Sequence, residues 1–186
     1  MSVALRITFE EYSQMIADGA FDALRNRRIE LINGELREMT PPGPDHSGTV
    51  TRLTNWSAEP VFKKAVQVRV QDVLAIPELD SAPQPDLAWV TMRDFRDRHP
   101  LSHEVILLIE VADSSLDFDC GEKAELYATA GIKDYWVVSL PERLIHVFRQ
   151  PQDGTYLEHT TAKFGDEIRP LAFPQYSLSV SGLLGL

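Results

Sequence analysis

The chain has 186 residues, 44% of them hydrophobic, and carries a formal net charge of −10 at pH 7. A chain of this length and apolar content can bury a sizeable core, so we expect one domain over residues 1–186. The acidic balance argues against a protein that grips duplex nucleic acid tightly regardless of sequence, because such proteins are usually basic.

The sequence also predicts where the protein resides. No apolar stretch approaches the ~20 residues that a membrane helix requires, so no membrane span is expected. The start, from Met1 to Arg6, lacks a charged segment followed by a long apolar one, and secretion is not expected. Cys120 is the only cysteine, which excludes an internal disulfide and a thiolate metal cluster. Together these features predict a cytoplasmic protein.

The first half of the chain is predicted to mix helices and strands, on the basis of caps, turns and apolar spacing. Thr8 and Glu11 form a capping-box pattern, and Asn33-Gly34 is the dipeptide typical of a type I′ hairpin turn. In chain order, the predicted elements are a helix from Thr8 to near Gly19, a strand at 28–32, its return at 35–40, a helix capped by Asp45, a strand at 66–70 extended by Leu74 and Ile76, and a short strand at 86–90.

The second half is predicted to contain a β-α-β unit. A strand at 105–111 precedes a loop at 113–119 and a helix that runs to about Ala130, where Gly131 ends it. The next strand, at 135–138, is expected to lie parallel to the strand at 105–111, because a helix connects them. The remaining elements are a return strand at 144–148, a strand around Tyr156 and a small C-terminal element. This order predicts an α/β fold with a mixed central β-sheet, flanked by helices and carrying β-hairpins.

A single carboxylate ends the most apolar stretch of the sequence. Five aliphatic residues, 105–109, precede Glu110, and such a run is typical of a strand buried on both faces. A lone Glu in that position is costly unless a metal ion, a Lys or a proton meets it, although a frayed strand end that reaches water is an alternative. Asp86 opens a neighbouring strand and is the candidate second carboxylate, or alternatively an ordinary turn residue after Pro85.

Lys123 is the candidate cation. On a helix it shares one stripe with Tyr127 and Ala130, residues that suit a face packed against the sheet. The helix begins just after the Glu110 strand, so its first turn is expected above the end of that strand. The alternative is an ordinary surface pair with Asp119 at i,i+4 spacing.

Many short segments of the chain match one known pattern. They are residues 29–36, His46 after the Pro-rich loop, 85–88, 110–115, Asp119, Lys123, Tyr127 and 131–138. In order and spacing they resemble the Uma-two family of restriction endonuclease-like proteins, within the PD-(D/E)XK nuclease superfamily. That superfamily usually places its Lys two positions after the Glu, where this chain has Ala112. The resemblance implies that Lys123 supplies the ammonium from the following helix.

The resemblance implies a restriction endonuclease-like fold and a metal-dependent endonuclease that hydrolyses DNA phosphodiester bonds. Asp86 and Glu110 would bind Mg²⁺ or Mn²⁺, with the Val111 carbonyl as a further ligand, and Lys123 would orient or activate the attacking water. Three other residues have possible accessory roles with simpler alternatives: Glu30 as a border of the site or a solvent-facing residue, His46 as a border of the site or a helix cap, and Asp119 as a contact of metal-bound water or a loop residue.

Partners are predicted only in outline. DNA is expected to bind weakly, and the two arginine groups (Arg25, Arg27 and Arg28; Arg93, Arg96 and Arg98) are interpreted as solvated surface. A homodimer is expected from the family resemblance and from two segments that look like sheet edges, around Tyr156 and at 66–70. The alternatives to a deoxyribonuclease are a catalytically silent interaction protein of the same fold and a phosphodiesterase that acts on RNA.

Overall fold

The structure is a computed structural model and describes residues 5–24 and 27–185. Residues 1–4 of the predicted start, Arg25 of the first arginine group, Asn26 and Leu186 lie outside the described residues. The strands, in chain order, are β1 (Arg28–Ile32), β2 (Glu35–Met39), β3 (Gln67–Val70), β4 (Leu87–Val90), β5 (Val105–Ala112), β6 (Asp134–Ser139), β7 (Leu144–Gln152), β8 (Thr155–Ala162), β9 (Glu167–Ile168) and β10 (Leu178–Ser179). The α-helices are α1 (Phe9–Ala17), α2 (Pro44–Trp56), α3 (Ala58–Phe62), α4 (Leu116–Cys120), α5 (Glu122–Thr129) and α6 (Val180–Leu184). No helix among the described residues combines the length and the apolar character needed to cross a membrane.

Six strands form a central sheet in the order β3-β4-β5-β6-β7-β8. β5 and β6 are parallel, whereas the other neighbouring pairs in this sheet are antiparallel. Since α4 and α5 connect the parallel pair, the predicted β-α-β unit and the mixed α/β sheet are confirmed. The outer strands are β3 and β8, which are the two segments that the sequence predicted to be edges. β1 and β2 pair separately as a hairpin.

Two local signals in the N-terminal part work as the sequence predicts. Thr8 Oγ1 accepts a hydrogen bond from the Glu11 amide at 3.1 Å, and Glu11 Oε2 accepts one from the Thr8 amide at 2.8 Å, which completes the capping box of α1. Asn33 and Gly34 have φ angles of 50° and 78°, the left-handed values that a type I′ turn requires. The hairpin register therefore follows from its turn residues.

The strand at 66–70 does not extend to Leu74 and Ile76, so that prediction is wrong. Gln71 adopts a left-handed φ of 51°, which turns the chain directly after β3. Leu74 and Ile76 are buried in the loop that follows, where their amides donate to the carbonyls of Pro83 and Ser81. The prediction rested on the alternation of apolar residues, and a buried loop can show the same alternation as a strand.

Two helix boundaries also differ from the prediction. α2 is capped by Gly43 and begins at Pro44, so Asp45 lies in its first turn, where its charge suits the helix dipole, and does not cap it. The predicted loop at 113–119 contains α4, and Gly121 separates α4 from α5. A Cβ on Gly121 would lie 2.6 Å from a backbone carbonyl oxygen of α4, so glycine permits the close turn between the two helices.

β5 is buried on both faces, as its apolar run predicts. Leu107, Ile109 and Val111 pack into the cluster that contains residues of α2. Leu108 and Ala112 pack into the cluster on the opposite face, which contains residues of α5. Because side chains alternate along a strand, Glu110 faces α5 together with Leu108 and Ala112. The strand thus delivers its one carboxylate to the helix that carries Lys123.

A buried hydrogen bond in the cluster that contains residues of α2 allows a test of how the core contributes to stability. The Trp89 indole N–H donates to Ser57 Oγ at 2.8 Å, and both residues are fully buried. Ser57→Ala leaves that N–H without a partner, and we expect it to lower the free energy of unfolding in urea by about 1–3 kcal/mol. Ser13→Ala is the control, because its exposed hydroxyl bonds only the carbonyl four residues earlier. Equal stability of the two variants would contradict the prediction.

Candidate active site

The two predicted carboxylates lie side by side where β4 begins and β5 ends. The Asp86 amide donates to Glu110 Oε2 at 3.2 Å, and the Val111 amide donates to Asp86 Oδ2 at 2.9 Å. Each carboxylate is therefore held by the backbone of the neighbouring strand. Both side chains are nearly buried, with 6% of Asp86 and 3% of Glu110 exposed.

Lys123 meets Glu110 from α5. Its ammonium Nζ donates to Glu110 Oε1 at 3.0 Å and lies 3.5 Å from Glu30 Oε1 and 3.9 Å from Asp119 Oδ1. The Lys123 side chain is 3% exposed, so its contact with Asp119 is not a surface pair. The helix-stripe argument from the sequence placed Lys123 on a packed face, and the structure shows it there.

Tyr127 is a contact of Glu110 that the sequence analysis assigned to the core only. Its hydroxyl donates to Glu110 Oε1 at 2.9 Å, the same oxygen that accepts from Lys123. The available signal was its position one turn after Lys123 on the same stripe, which places a phenol beside the ammonium. The hydrogen bond fixes the orientation of the Glu110 carboxylate.

Asp86 has two side-chain partners besides the backbone of β5. His46 Nε2 lies 3.0 Å from Asp86 Oδ2, and Gln71 Nε2 donates to Asp86 Oδ1 at 3.0 Å. His46 therefore does not act as a helix cap, and its Nδ1 is buried without a partner among the described residues. Gln71 was missed, since nothing in the sequence marks the turn after β3 that brings it to Asp86.

The carbonyl of Val111 is directed toward the same carboxylate. The Ala112 carbonyl accepts from the Leu140 amide on the β6 side. Backbone groups alternate in direction along a strand, so those of Val111 point to the β4 side, where its amide meets Asp86. β4 begins at Leu87, opposite Ile109, and no β4 residue pairs with Val111, so the Val111 carbonyl is available to the site.

These residues line one cavity of about 310 Å³. The seven residues predicted for the site all lie on its wall: Glu30, His46, Asp86, Glu110, Val111, Asp119 and Lys123. Glu30 is 3% exposed and accepts a hydrogen bond from the Gln84 amide at 3.2 Å, so it is not a solvent-facing residue. The structure brings all of the predicted residues together, while their chemical roles remain predictions.

Comparison with known proteins agrees with this architecture. A family model described as "Uma2: Putative restriction endonuclease" matches residues 9–181. The chain belongs to the Uma2 family. A crystal structure described as a "putative nuclease belonging to DUF820", from Anabaena variabilis, has the same fold as the Uma2 chain. Its TM-score is 0.71 at 15% identity, and the match covers 96% of this chain and 98% of that one. No curated protein matches the sequence.

Charge is unevenly distributed in the site of the Uma2 chain. Burial raises the pKa of the Glu110 carboxyl to about 8; the nearby carboxylates of Asp119, Asp86 and Glu30 add to that rise, whereas Lys123 opposes it. Burial also raises the pKa of Asp119. For Lys123, burial alone would lower the pKa, but the surrounding carboxylates outweigh it and the pKa lies above its ordinary value. Carboxylates thus outnumber the cations that could balance them.

The pKa of Asp86 shifts in the opposite direction to that of Glu110, and Asp86 and His46 each favour the charged form of the other. Burial alone would raise the pKa of Asp86, but the hydrogen bonds from His46, Gln71 and the Val111 amide outweigh it and hold this pKa below its ordinary value. The Asp86 carboxylate in turn raises the pKa of His46. Asp86 is therefore an ionised ligand candidate over the whole neutral range.

The oxygen donors fit a hard divalent cation. Mg²⁺ and Mn²⁺ prefer carboxylate and carbonyl oxygens, and Mg²⁺ usually keeps several waters, so one or two carboxylates suffice. Asp86, Glu110 and the Val111 carbonyl form such a set. Within the described residues, no three His, Cys, Asp or Glu side chains form a ready-made metal cluster. The donor set instead combines two carboxylates with one backbone oxygen.

The raised pKa of Glu110 predicts how the metal-free protein responds to pH. The Glu110 carboxyl holds its proton more tightly in the folded than in the unfolded state. The free energy of unfolding therefore falls as the pH rises from 4.5, the ordinary pKa of Glu, to about 8. The raised pKa of His46 acts in the same direction, and the lowered pKa of Asp86 has no effect above pH 7. In EDTA we therefore expect the unfolding midpoint to fall between pH 7 and 8.5.

Glu110→Gln isolates the contribution of that one carboxyl. Its amide keeps the size of the side chain and removes the titration, so the fall in midpoint is expected to be smaller in this variant. Thermal unfolding followed by circular dichroism at fixed ionic strength measures both proteins. A midpoint that is constant or rises in the wild-type protein would contradict the prediction.

Proposed function

We propose that this Uma2 protein is a Mg²⁺- or Mn²⁺-dependent endonuclease that hydrolyses phosphodiester bonds of DNA. The observation that carries the proposal is a buried ammonium, on Lys123, that contacts one of two carboxylates fixed at adjacent strand ends. Glu30 and Asp119 also lie near the Lys123 ammonium, so that with Asp86 the site holds four carboxylates and one Lys. Such an excess of buried negative charge is costly unless a cation offsets it.

Each residue has a distinct proposed role. Asp86, Glu110 and the Val111 carbonyl would hold the metal ion, which when bound lowers the pKa of a coordinated water and offsets charge on the phosphate. Lys123 would orient the attacking water and stabilise the negative charge that develops on the phosphate oxygens. Tyr127 would hold Glu110 in orientation, and His46 and Gln71 would do the same for Asp86. Glu30 and Asp119 would hold the Lys123 ammonium in place.

A catalytically silent interaction protein is the alternative that the net charge of −10 favours, because this charge opposes the approach of nucleic acid. Metal binding without any hydrolysis would support it. The cytoplasmic location and the homodimer expected from the sequence remain predictions. The outer strands β3 and β8 are where a second copy could pair.

Activity on circular DNA tests the proposal directly. Circular single-stranded DNA and supercoiled plasmid are both incubated with Mn²⁺ or Mg²⁺, since only an endonuclease opens a circle. We expect cleavage by the wild-type protein and a loss of about 100-fold or more in Asp86→Ala and Lys123→Ala. Arg96→Ala, at an arginine that is 90% exposed and outside the site, is the control. Equal cleavage by all four proteins, or by none, would rule the proposal out.

Metal binding has a readout that does not depend on activity. A cation that binds only the folded protein stabilises it by about 2.7 kcal/mol when present at 100 times its dissociation constant. We expect the unfolding midpoint of the wild-type protein to rise with Mn²⁺ and to return on addition of EDTA. Asp86→Asn should lose this response, whereas Asp97→Asn, at an exposed aspartate, should keep it. An equal response in both variants would remove Asp86 from the metal site.

A further inference from the structure

We propose that this site accepts a single strand of nucleic acid and not a duplex, and that Arg28 binds one of the strand's phosphates. The proposal rests on the proposed function, because it concerns the substrate of the same site. Three observations lead to it: the burial of the carboxylates, the small volume of the cavity and the distribution of paired and unpaired cations around it.

The carboxylates are buried at the point that the phosphate to be cleaved has to reach. Asp86, Glu110 and Lys123 are between 3% and 6% exposed, so they lie at the base of the cavity and not on a surface. The phosphate to be cleaved has to reach that base. A duplex is stiff over such short lengths, so it cannot bend a single phosphate away from its neighbours and into the cavity without deformation.

The cavity has room for about one nucleotide. Its volume of about 310 Å³ is at the lower end of the roughly 300–1,000 Å³ that enclosed small-molecule sites occupy. An unpaired strand can turn a single nucleotide away from its neighbours and into such a space, whereas a paired base must first be unstacked at a cost of a few kcal/mol.

One wall of the cavity is tied to the helix that carries Lys123. Arg37, on β2 of the hairpin, donates to both carboxylate oxygens of Glu122 on α5, at 3.0 and 3.2 Å. Arg37 and Glu122 are separated by 85 positions in the sequence, so this ion pair joins the hairpin to α5 across the site. The ion pair therefore ties the hairpin wall of the cavity to α5.

Arg28 lies on the cavity wall and has no carboxylate partner among the described residues. Its guanidinium donates to the side chain and backbone oxygens of Gln84, at 3.2 and 3.4 Å, and no carboxylate of residues 5–24 and 27–185 forms an ion pair with it. The other two cavity cations, Lys123 and Arg37, contact carboxylates. A half-buried guanidinium with unused donors is suited to a phosphate oxygen.

The second arginine group offers a duplex few free contacts. Proteins that hold duplex DNA through its backbone often neutralise six to ten phosphates. The second arginine group does not supply such contacts freely, because each of its members already has an acidic partner: Arg93 with Asp97, Arg96 with Asp94, and Arg98 with Glu104. A single strand that engages one phosphate at a time needs only the cavity itself.

Binding of labelled oligonucleotides tests the inference without relying on catalysis. Fluorescein-labelled 20-mers of single-stranded DNA, single-stranded RNA and blunt duplex DNA are titrated with the protein in Ca²⁺, followed by anisotropy. We expect the preferred single strand to bind at least 10-fold more tightly than the duplex, and the DNA and RNA arms identify the preferred sugar. Equal or tighter binding of the duplex, or no binding of any probe, would overturn the inference.

Variants of Arg28 locate the contact. Arg28→Ala should weaken single-strand binding about 10-fold and reduce its dependence on salt, because one phosphate contact is lost. Arg28→Lys keeps the charge on β1 and should retain part of the affinity, and Arg96→Ala should bind like the wild-type protein. Thermal unfolding of each variant confirms that it is folded. Unchanged binding by a folded Arg28→Ala would remove Arg28 from the substrate contact.

Cleavage in Mn²⁺ separates this inference from the proposed function. A duplex with a single-stranded tail should be cut in the tail and not in the paired region. If the paired region is cut equally well, the protein is a nuclease and the single-strand inference is wrong. If no probe is cut but single strands bind in an Arg28-dependent manner, the inference holds and the proposed activity is wrong.

Discussion

The site depends on the buried contact between the Lys123 ammonium and the Glu110 carboxylate. Neither charge is stable alone in the interior, and removal of one partner from a buried pair typically costs about 3–5 kcal/mol because the other is left uncompensated. Tyr127 adds a hydrogen bond to the same oxygen of Glu110. The contact joins the end of β5 to the first turn of α5, so it fixes both the fold and the position of the ammonium.

Strand alternation is consistent with the role that we propose for Lys123, on the helix, in place of a lysine on the strand itself. Ala112, two positions after Glu110, lies on the same face of β5 and is fully buried. A helix that follows the strand passes over that face, and the small side chain of Ala112 takes up little of the space there. Lys123 thus contacts Glu110 from the helix, whereas a lysine at position 112 would contact it from the strand.

The carboxylate excess and the small cavity bear on the proposals in different ways. Four carboxylates, from Glu30, Asp86, Glu110 and Asp119, favour the divalent cation that we propose for a chain of net charge −10. The ion pair between Arg37 and Glu122 ties the hairpin to α5 beside that site. The β1–β2 hairpin contributes to both features, because it carries Glu30 as well as Arg37.

The sequence by itself determined much of the local structure and predicted candidate site residues, which the structure brings to one cavity. The capping box at Thr8, the turn at Asn33-Gly34 and the apolar run before Glu110 are signals between near neighbours. Strand and helix patterns marked Asp86, Glu110 and Lys123 as candidates, and the family pattern includes the same three residues. Only the tertiary structure showed the turn at Gln71, the hydrogen bond from Tyr127 and the unpaired guanidinium of Arg28. Those features depend on contacts between distant segments, and the distances that decide them are set when β1, α2, β4, β5 and α5 pack together.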